Sequence, residues 1–343
     1  AHGLDKSGHL YKVNSFDFHR YEDTIKLADD PDYNQAAFEG MLEIKGDSDH
    51  TKLIEMLDAL NDESQKIDDV LATYFDTENL VYWLAFQLLT GNCDTQNRNC
   101  YLYSPLNSNT WYFLDWDNDG MLRKLELSLT GFSDYASWER GVSNYWGNVL
   151  FNRALRSKSF RSELDAAVKD LRSYMTEERL AKMIKHYREV TESLVFAAPD
   201  IDNLPVTKDQ YEQIAAAIPA EIEENYKSFR ESYKKPMPFY IGMPQIDNGK
   251  LRINWDASYD FKARDIRYTV ELARDYAIKD VVFKAEDVLL PEVTCDAPDT
   301  GQYFVRVRAT NSDGYTQDAF DYYVTDDGKQ YGMLCFYVQD GGK

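Results

Sequence analysis

Two short stretches carry residue types that could do chemistry. Residues 91–103 read GNCDTQNRNCYLY, which places Asp94 and Asn99 five positions apart in a polar loop. Residues 115–126 read DWDNDGMLRKLE, an acidic run around Asp115, Asp117 and Asp119. Carboxylate and amide oxygens are hard donors, the kind that hold magnesium or calcium. A carboxylate kept off the metal can take the proton of an attacking hydroxyl. Phosphoryl transfer needs both, a cation bridging phosphate oxygens and a carboxylate beside the nucleophile.

The acidic run also fits the calcium-loop pattern D-x-[DN]-x-[DN]-G-x5-E at every required position, through Gly120 to Glu126. Such a loop needs a helix before Asp115. NSNTWYFL alternates instead and is bounded by turn residues. With 59 acidic residues in a chain of 343, Glu126 reads as a chance match and Asp115 as incidental to a metal. A magnesium loop is the favoured reading. A calcium loop and a purely structural acidic turn remain as alternatives.

The elements around these stretches must position them. DTENLVYWLAFQLLTGN (76–92) starts at an Asp76 cap, is apolar almost all round and stops at Gly91, as a buried helix would. The Asp94 loop follows, then strand-like YLY, the turn SPLNSN and WYFLDWDND. That order is similar to the catalytic lobe of kinases, but no His-Arg precedes Asp94 and Asp117 is not in an Asp-Phe-Gly. The chain instead resembles the spore-coat-protein-H (CotH) kinase family, an atypical protein-kinase-like group. Gly91, Asn92, Asp94, Asn99 and Tyr101 fall on one motif of that family, and Trp111, Trp116, Asp117 and Asp119 on the next. GHLYK (8–12) and NYWGNVLFNRAL (144–155) resemble further elements, so the similarity spans residues 8 to 196. Cys100 stands where the family commonly has Tyr.

The resemblance implies a role for each residue. Asp94 would be the catalytic carboxylate, Asn99 and Asp117 the magnesium ligands, and Asp119 a further ligand or a support for one. ATP would be the phosphate donor. Trp111, with Tyr11, would sandwich the adenine, with a plain core aromatic as the alternative for Trp111. The fold also implies an N-terminal lobe with a phosphate-binding lysine. Little precedes GHLYK, so that lobe is expected to be largely absent from this chain, and Lys6 and Lys12 are the candidates for the lysine.

Two regimes of hydropathy divide the chain. From about residue 15 to 233 the pattern is helical, with helices expected over 51–62, 76–92, 144–157, 160–175 and 177–196. A last helix is expected after the capping-box pair Thr207 and Gln210. After KKPMPFYIGMPQ (234–245) the period changes to two. Strands are expected over 251–255, 266–272, 281–285, 303–310 and 319–325, with AsnSerAspGly at 311–314 as a turn. LRINWDAS and YFVRVRATNSDG resemble a fibronectin type III domain, with Trp255 in the core and Tyr303 near the start of a late strand. The fold class is therefore α+β and multidomain. A mainly helical, protein-kinase-like C-terminal lobe is expected over 1–235, and an all-β fibronectin type III-like sandwich over 236–343.

Composition bounds the partners. The chain is 43% apolar and 14% aromatic, ample for packed cores. A formal net charge of −21 argues against nucleic acid as a partner, because phosphate neutralisation needs clustered Lys and Arg. It suits cations and a basic protein substrate. No apolar run approaches the ~18 residues of a membrane span. The first residue is Ala, not Met, and no leader pattern follows, so a signal peptide or a longer segment is expected upstream.

Cys93 and Cys100 could pair across a polar loop, and Cys295 with Cys335 across strands, but buried free thiols are the favoured state. His9, His19, His50 and His186 lack a Ser or Cys partner and read as packing or surface residues. The expected function is transfer of phosphate from Mg-ATP to Ser or Thr of a secreted, surface or spore-coat protein, outside the cell. The alternative is a catalytically inactive kinase-like adhesion or scaffold module.

Overall fold

The structure, a computed structural model, describes residues 4–131, 135–326 and 328–339. The chain divides into two compact units. Unit 1 comprises Ala1–Ser133 and Tyr145–Phe229, and unit 2 comprises Asp134–Asn144 and Arg230–Lys343. The architecture is α+β, with helices concentrated in the first part and antiparallel sheets in the second.

Unit 1 runs through β1 (His9–Val13), α1 (Gln35–Met41), β2 (Leu42–Ile44), α2 (Thr51–Asn61), α3 (Ile67–Tyr74) and α4 (Thr77–Thr90). The hairpin of β3 (Cys100–Ser104) and β4 (Tyr112–Asp115) follows, then α5 (Lys124–Leu129), α6 (Val149–Arg156), α7 (Lys158–Tyr174), α8 (Glu177–Val195) and α9 (Lys208–Ser232). α4 forms where expected. Asp76 accepts a hydrogen bond from the Asn79 amide at its start, and Gly91 takes the left-handed conformation (φ 65°) that ends it. Leu80, Val81, Trp83, Leu84, Ala85, Leu88 and Leu89 of this helix are buried, and it packs against α7 and β4. Each buried Leu or Val contributes about 1.5–3 kcal/mol. The Thr207–Gln210 capping box forms in both directions, at 3.3 and 2.8 Å.

Two expectations need correction. The helix expected over 144–157 starts only at Val149, because the Asn148 side chain caps the amides of Leu150 and Phe151 and a 3-10 turn (Gly141–Tyr145) precedes it. The strand expected over 319–325 starts only at Tyr322, since Phe320 donates its amide to the Phe239 carbonyl and residues 319–321 stay outside the ladder.

The sheet of unit 1 has the order β2-β1-β3-β4, with every pair antiparallel. Tyr11 lies opposite Ile44 and Leu102, while Lys12 lies opposite Glu43 and Tyr101. Alternation then sends Tyr11, Leu102 and Phe113 into the core and turns Lys12, Tyr101 and Leu114 outward.

Unit 2 contains β5 (Gln245–Asp247), β6 (Lys250–Asn254), β7 (Ile266–Ala273), β8 (Val281–Val288), β9 (Glu292–Asp296), β10 (Gly301–Asn311), β11 (Thr316–Asp318), β12 (Tyr322–Thr325), β13 (Gly328–Tyr331) and β14 (Met333–Val338). One sheet has the order β5-β6-β9. The other has the order β11-β10-β7-β8, with β14 also on β10. Leu251, Ile253 and Trp255 from the first sheet share a core with Tyr268, Val270, Tyr303, Val305 and Phe336 from the second. The chain changes sheet between β6 and β7, β8 and β9, and β9 and β10, the connectivity of a β-sandwich. The Tyr303 hydroxyl donates to the Asp299 carbonyl at 3.0 Å, a corner that pins the start of β10.

His50 is fully buried beneath β1, stacked on Phe38 with ring centres 4.2 Å apart. Its ring nitrogens meet the hydroxyls of Tyr11 at 2.8 Å and Tyr33 at 3.2 Å. Burial holds the imidazole below its usual pKa, against the opposing pull of Asp49 and Asp47. The unfolded chain therefore binds the His50 proton more readily than the folded one. Stability from this site is full above about pH 6.5, the unfolded value, and is lost as pH falls through the lower folded value. His50→Gln is expected to flatten the decline of thermal midpoint between pH 7 and 5. An unchanged slope in that variant would rule His50 out as its source.

Candidate functional site

The loop that carries Asp94 is fixed from several sides. As α4 ends, Asn92 is buried and donates from Nδ2 to Gln87 Oε1 at 3.0 Å, while its Oδ1 accepts the Asp94 amide at 3.2 Å. The Tyr145 hydroxyl reaches the Asn92 carbonyl at 3.3 Å and bonds the Thr95 hydroxyl at 2.8 Å. Asn148 Nδ2 donates to the Gln96 carbonyl at 2.8 Å, and the Phe16 amide donates to the Asn97 carbonyl at 2.7 Å. Tyr145 and Asn148 both belong to the NYWGNVLFNRAL stretch, so clamping this loop is what that stretch does.

Asp94 and Asn99 meet directly, with Asn99 Nδ2 donating to Asp94 Oδ2 at 2.8 Å. Arg98 takes the other carboxylate oxygen at 2.5 Å. Both members of that ion pair are well exposed to solvent, so it adds little to stability.

The acidic stretch lies against this loop. A Cβ placed on Gly120 would come within 2.7 Å of Asn92 Oδ1 and 3.2 Å of Asp94 Cβ. The Leu122 amide donates to the Thr90 carbonyl at 2.9 Å. Gln87 joins the two segments a second time, since its Nε2 donates to Asp115 Oδ1 at 2.9 Å. Burial pushes the Asp115 carboxyl up and the Gln87 donor pulls it back; the residue as a whole is exposed, so water relieves much of the burial effect.

Glu126 is engaged by Arg123 through two bonds of 2.9 and 3.0 Å, and a strand rather than a helix leads into Asp115. Neither fits a calcium-loop geometry. Asp117 and Asn99 both stand in the left-handed region, at φ 56° and 58°. That region is costly for most side chains and tolerated by Asn and Asp, and unusual backbone of this kind gathers at working sites.

Asp117 and Asp119 are exposed, and among the described residues neither carboxylate takes a hydrogen bond or ion pair. No group of three or more His, Cys, Asp or Glu side chains converges as a metal site among the described residues. Asn99 and Asp117 are oxygen donors of the type that magnesium takes. Asn99 commits its amide nitrogen to Asp94, which leaves its carbonyl oxygen as a donor, and the Asp117 carboxylate is unengaged. Magnesium characteristically takes only one or two protein oxygens and fills the rest of its shell with water and phosphate.

Tyr11 and Trp111 occupy a place other than the one expected of them. Both are 1% exposed, their ring centres are 6.1 Å apart, and Trp111 also packs near His9. They belong to the core beneath the sheet and leave no slot between them for a base. Trp116 lies five residues after Trp111, an odd spacing that puts it on the opposite face. It is 45% exposed, meets Tyr101 edge-on at 5.2 Å and lies under the Lys12 ammonium at 5.8 Å. The accessible aromatic face beside Asn99 and Asp117 is therefore Tyr101 and Trp116, with Lys12.

Sequence reasoning passed over Gln87 and Arg98, and read Gly120 only as a position of the calcium-loop pattern. Gln87 carried a signal, as a lone amide in the middle of an apolar helix. All four cysteines are free thiols, with Cys100 buried.

Comparison with known proteins gives one match over most of the chain. The family model described as CotH kinase protein matches residues 1–229. No curated protein matches. Among solved structures, the twitchin kinase region from C. elegans is 17% identical at a TM-score of 0.21, covering 28% of this chain and 20% of its own. CopC from Methylosinus trichosporium OB3b is 14% identical at 0.17, covering 29% and 92%. The Streptomyces avermitilis alpha-L-rhamnosidase complexed with L-rhamnose is 18% identical at 0.17, covering 27% and 10%. Likenesses this weak carry no argument about function.

Gly120→Ala is expected to force the two loops apart, because Asn92 is buried and bonded and cannot yield. Urea unfolding should show a loss of about 1–3 kcal/mol, the usual cost of overpacking. A loss under about 0.5 kcal/mol would mean that the loops are not held in contact at Gly120.

Proposed function

The chain belongs to the CotH kinase family, and on that premise we propose that unit 1 transfers phosphate from Mg-ATP to a Ser or Thr hydroxyl of a protein. The observation that carries the reading is the bond from Asn99 to Asp94, with Gly120 bringing the acidic loop against the same carboxylate.

In this reading Asp94 takes the proton of the substrate hydroxyl as the new O–P bond forms, and the bridging oxygen departs with the diphosphate. Asn99 fixes the carboxylate through its amide nitrogen. Its carbonyl oxygen and Asp117 would hold a divalent cation, with Asp119 nearby in the same loop. When bound, that cation neutralises charge on the phosphate oxygens. Tyr101 and Trp116 offer exposed rings on which a base can stack, and Lys12 a cation for the phosphates.

Unit 2 supports a fibronectin type III-type reading. Trp255 lies in the shared core, the Tyr303 corner is present, and three strands face a larger sheet. No helix among the described residues is long and apolar enough to cross a membrane. With the family's link to coats and surfaces, these features support a protein that acts at a cell surface or spore coat on an exposed, basic protein.

One observation favours a second reading, a kinase-like scaffold that does not turn over. Arg98 occupies the Asp94 oxygen that a substrate hydroxyl would need. In the catalytic reading its guanidinium exchanges that oxygen for a phosphate oxygen, for which its planar fork is suited.

Phosphate transfer from labelled Mg-ATP to a basic Ser/Thr peptide separates the two. Asp94→Asn should lose roughly a hundredfold or more in rate, the scale of a general base, with nucleotide affinity nearly unchanged. Asp117→Asn should weaken magnesium-dependent nucleotide binding roughly tenfold. Undiminished transfer by Asp94→Asn ends the assignment of Asp94. Wild-type binding of Mg-ATP without transfer to any acceptor would favour the scaffold.

A further inference from the structure

Within unit 1, α9 meets the end of α4 and the start of α5, where the Asp94 loop begins and the acidic loop ends. Its buried apolar residues Ala215, Ile222 and Phe229 recur at helical spacing. Two polar residues are buried with them, Glu221 at 6% exposed and Asn225 at 4%. These two are separated by one turn of the helix. A carboxylate withdrawn from water is costly unless it is hydrogen-bonded, and a buried amide needs partners as well. Both residues find theirs at helix ends.

Glu221 Oε1 accepts the Lys124 amide at 3.1 Å. Lys124 is the first residue of α5, and the Arg123 side chain before it makes no capping bond. One of the amides that a helix start leaves without an internal partner is thus taken by α9. Asn225 Nδ2 donates to the Leu89 carbonyl at 3.1 Å, in the last turn of α4, where carbonyls likewise lack internal partners. The next carbonyl, that of Thr90, takes the Leu122 amide at 2.9 Å. The roll of α9 is set from α7, whose Arg172 engages Glu223 through bonds of 2.8 and 2.6 Å and lies over the Tyr226 ring at 4.3 Å. The ion pair from Lys124 to Glu224 is exposed and adds little.

We propose that Glu221 and Asn225 are positioning residues: one turn of α9 grips the root of the Asp94 loop and the far end of the acidic loop, and so fixes the span across which Asn99 and Asp117 share a cation. Gln87 holds the acidic loop only at its start, through Asp115. A segment tied at one end swings about that end, whereas one tied at both ends has far fewer conformations. The bond at Lys124 supplies the second tie, and the Asn225 bond refers it to the same helix that carries Gln87. The contacts of Gly120 with Asn92 and of Leu122 with Thr90 then form at little further cost in ordering. As far as it concerns the cation the proposal rests on the function proposed above. As far as it concerns the spacing of the two loops it does not.

The test uses the whole chain and the variants Glu221→Ala, Glu221→Gln, Asn225→Leu and Asn225→Ser. The first readout is hydrogen exchange at the Leu122 amide, whose own bond to Thr90 none of these variants removes. Glu221→Ala and Asn225→Leu should each speed it roughly tenfold while α7 keeps its protection. Glu221→Gln keeps an oxygen for the Lys124 amide and should stay within about twofold of the wild type. The second readout is the magnesium concentration at half-maximal Mg-ATP binding. It should rise roughly tenfold in Glu221→Ala and return in Glu221→Gln, with KM for the acceptor peptide unchanged. Unchanged Leu122 exchange in either Glu221→Ala or Asn225→Leu overturns the proposal. So does faster exchange with an unmoved magnesium midpoint, since the loop spacing would then have no bearing on the cation. Should either variant lose protection throughout unit 1, Asn225→Ser decides, and unaltered Leu122 exchange there overturns the proposal too. Faster Leu122 exchange in variants of a wild type that binds no Mg-ATP would uphold the loop spacing and sink only the phosphotransfer reading.

Discussion

One buried amide holds the candidate site together. Gln87 is 1% exposed in the middle of a helix whose other buried positions are almost all apolar. A buried amide left unpaired costs about 1–3 kcal/mol, so both of its ends need partners. Its oxygen takes Asn92, at the root of the Asp94 loop, and its nitrogen takes Asp115, at the end of β4. The two segments that carry Asp94 and Asp117 are therefore tied to one rigid helix and cannot drift apart without orphaning a buried group. Gly120 is the close approach that this tie requires. Asn99 and Asp117 both hold left-handed backbone conformations, which Asn and Asp tolerate better than most side chains.

Strand parity decides which aromatic residues this site can use. In β1 and β4 every second side chain enters the core, and β3 follows them at Cys100, Tyr101 and Leu102, with Tyr103 buried as well. Tyr11, Leu102, Phe113 and, one residue before β4, Trp111 fill the inner face, together with His9 and the buried His50. Lys12, Tyr101 and Trp116 remain on the outer face beside Asn99 and Asp117. A shift of one residue in either strand would exchange the two sets. The identity of the accessible rings is thus a property of register, and composition is silent on it.

The second unit owes its form to the same alternation applied to two sheets, with Trp255, Tyr303 and Phe336 sharing one core. What distinguishes it is that it also claims residues from between α5 and α6. That stretch is amphipathic over a short span. Ala136 and Trp138 turn into the sandwich, while Ser137 is exposed and uses its hydroxyl to meet Gln317.

Much of the organisation was legible in the sequence because it is local. The apolar run of α4 with Asp76 before it and Gly91 after it, the Thr207–Gln210 box, and the change of period after residue 234 all follow from propensities, caps and alternation. Membership of the CotH kinase family was likewise open to reading, since the motif order around Asp94, Asn99 and Asp117 lies in the sequence itself. Three things were decided only by tertiary structure. Trp111 and Tyr11 lie inside rather than outside, because the register of β1 on β3 sets the facing. Gln87 and Gly120 matter through distant partners, Gln87 with Asp115 and Gly120 with Asn92, each 28 residues away. Residues 135–144 pack with a unit that begins some ninety positions later, which no local pattern encodes. Local free energies choose elements; long-range contacts choose which of their faces meet, and the site is made where they do.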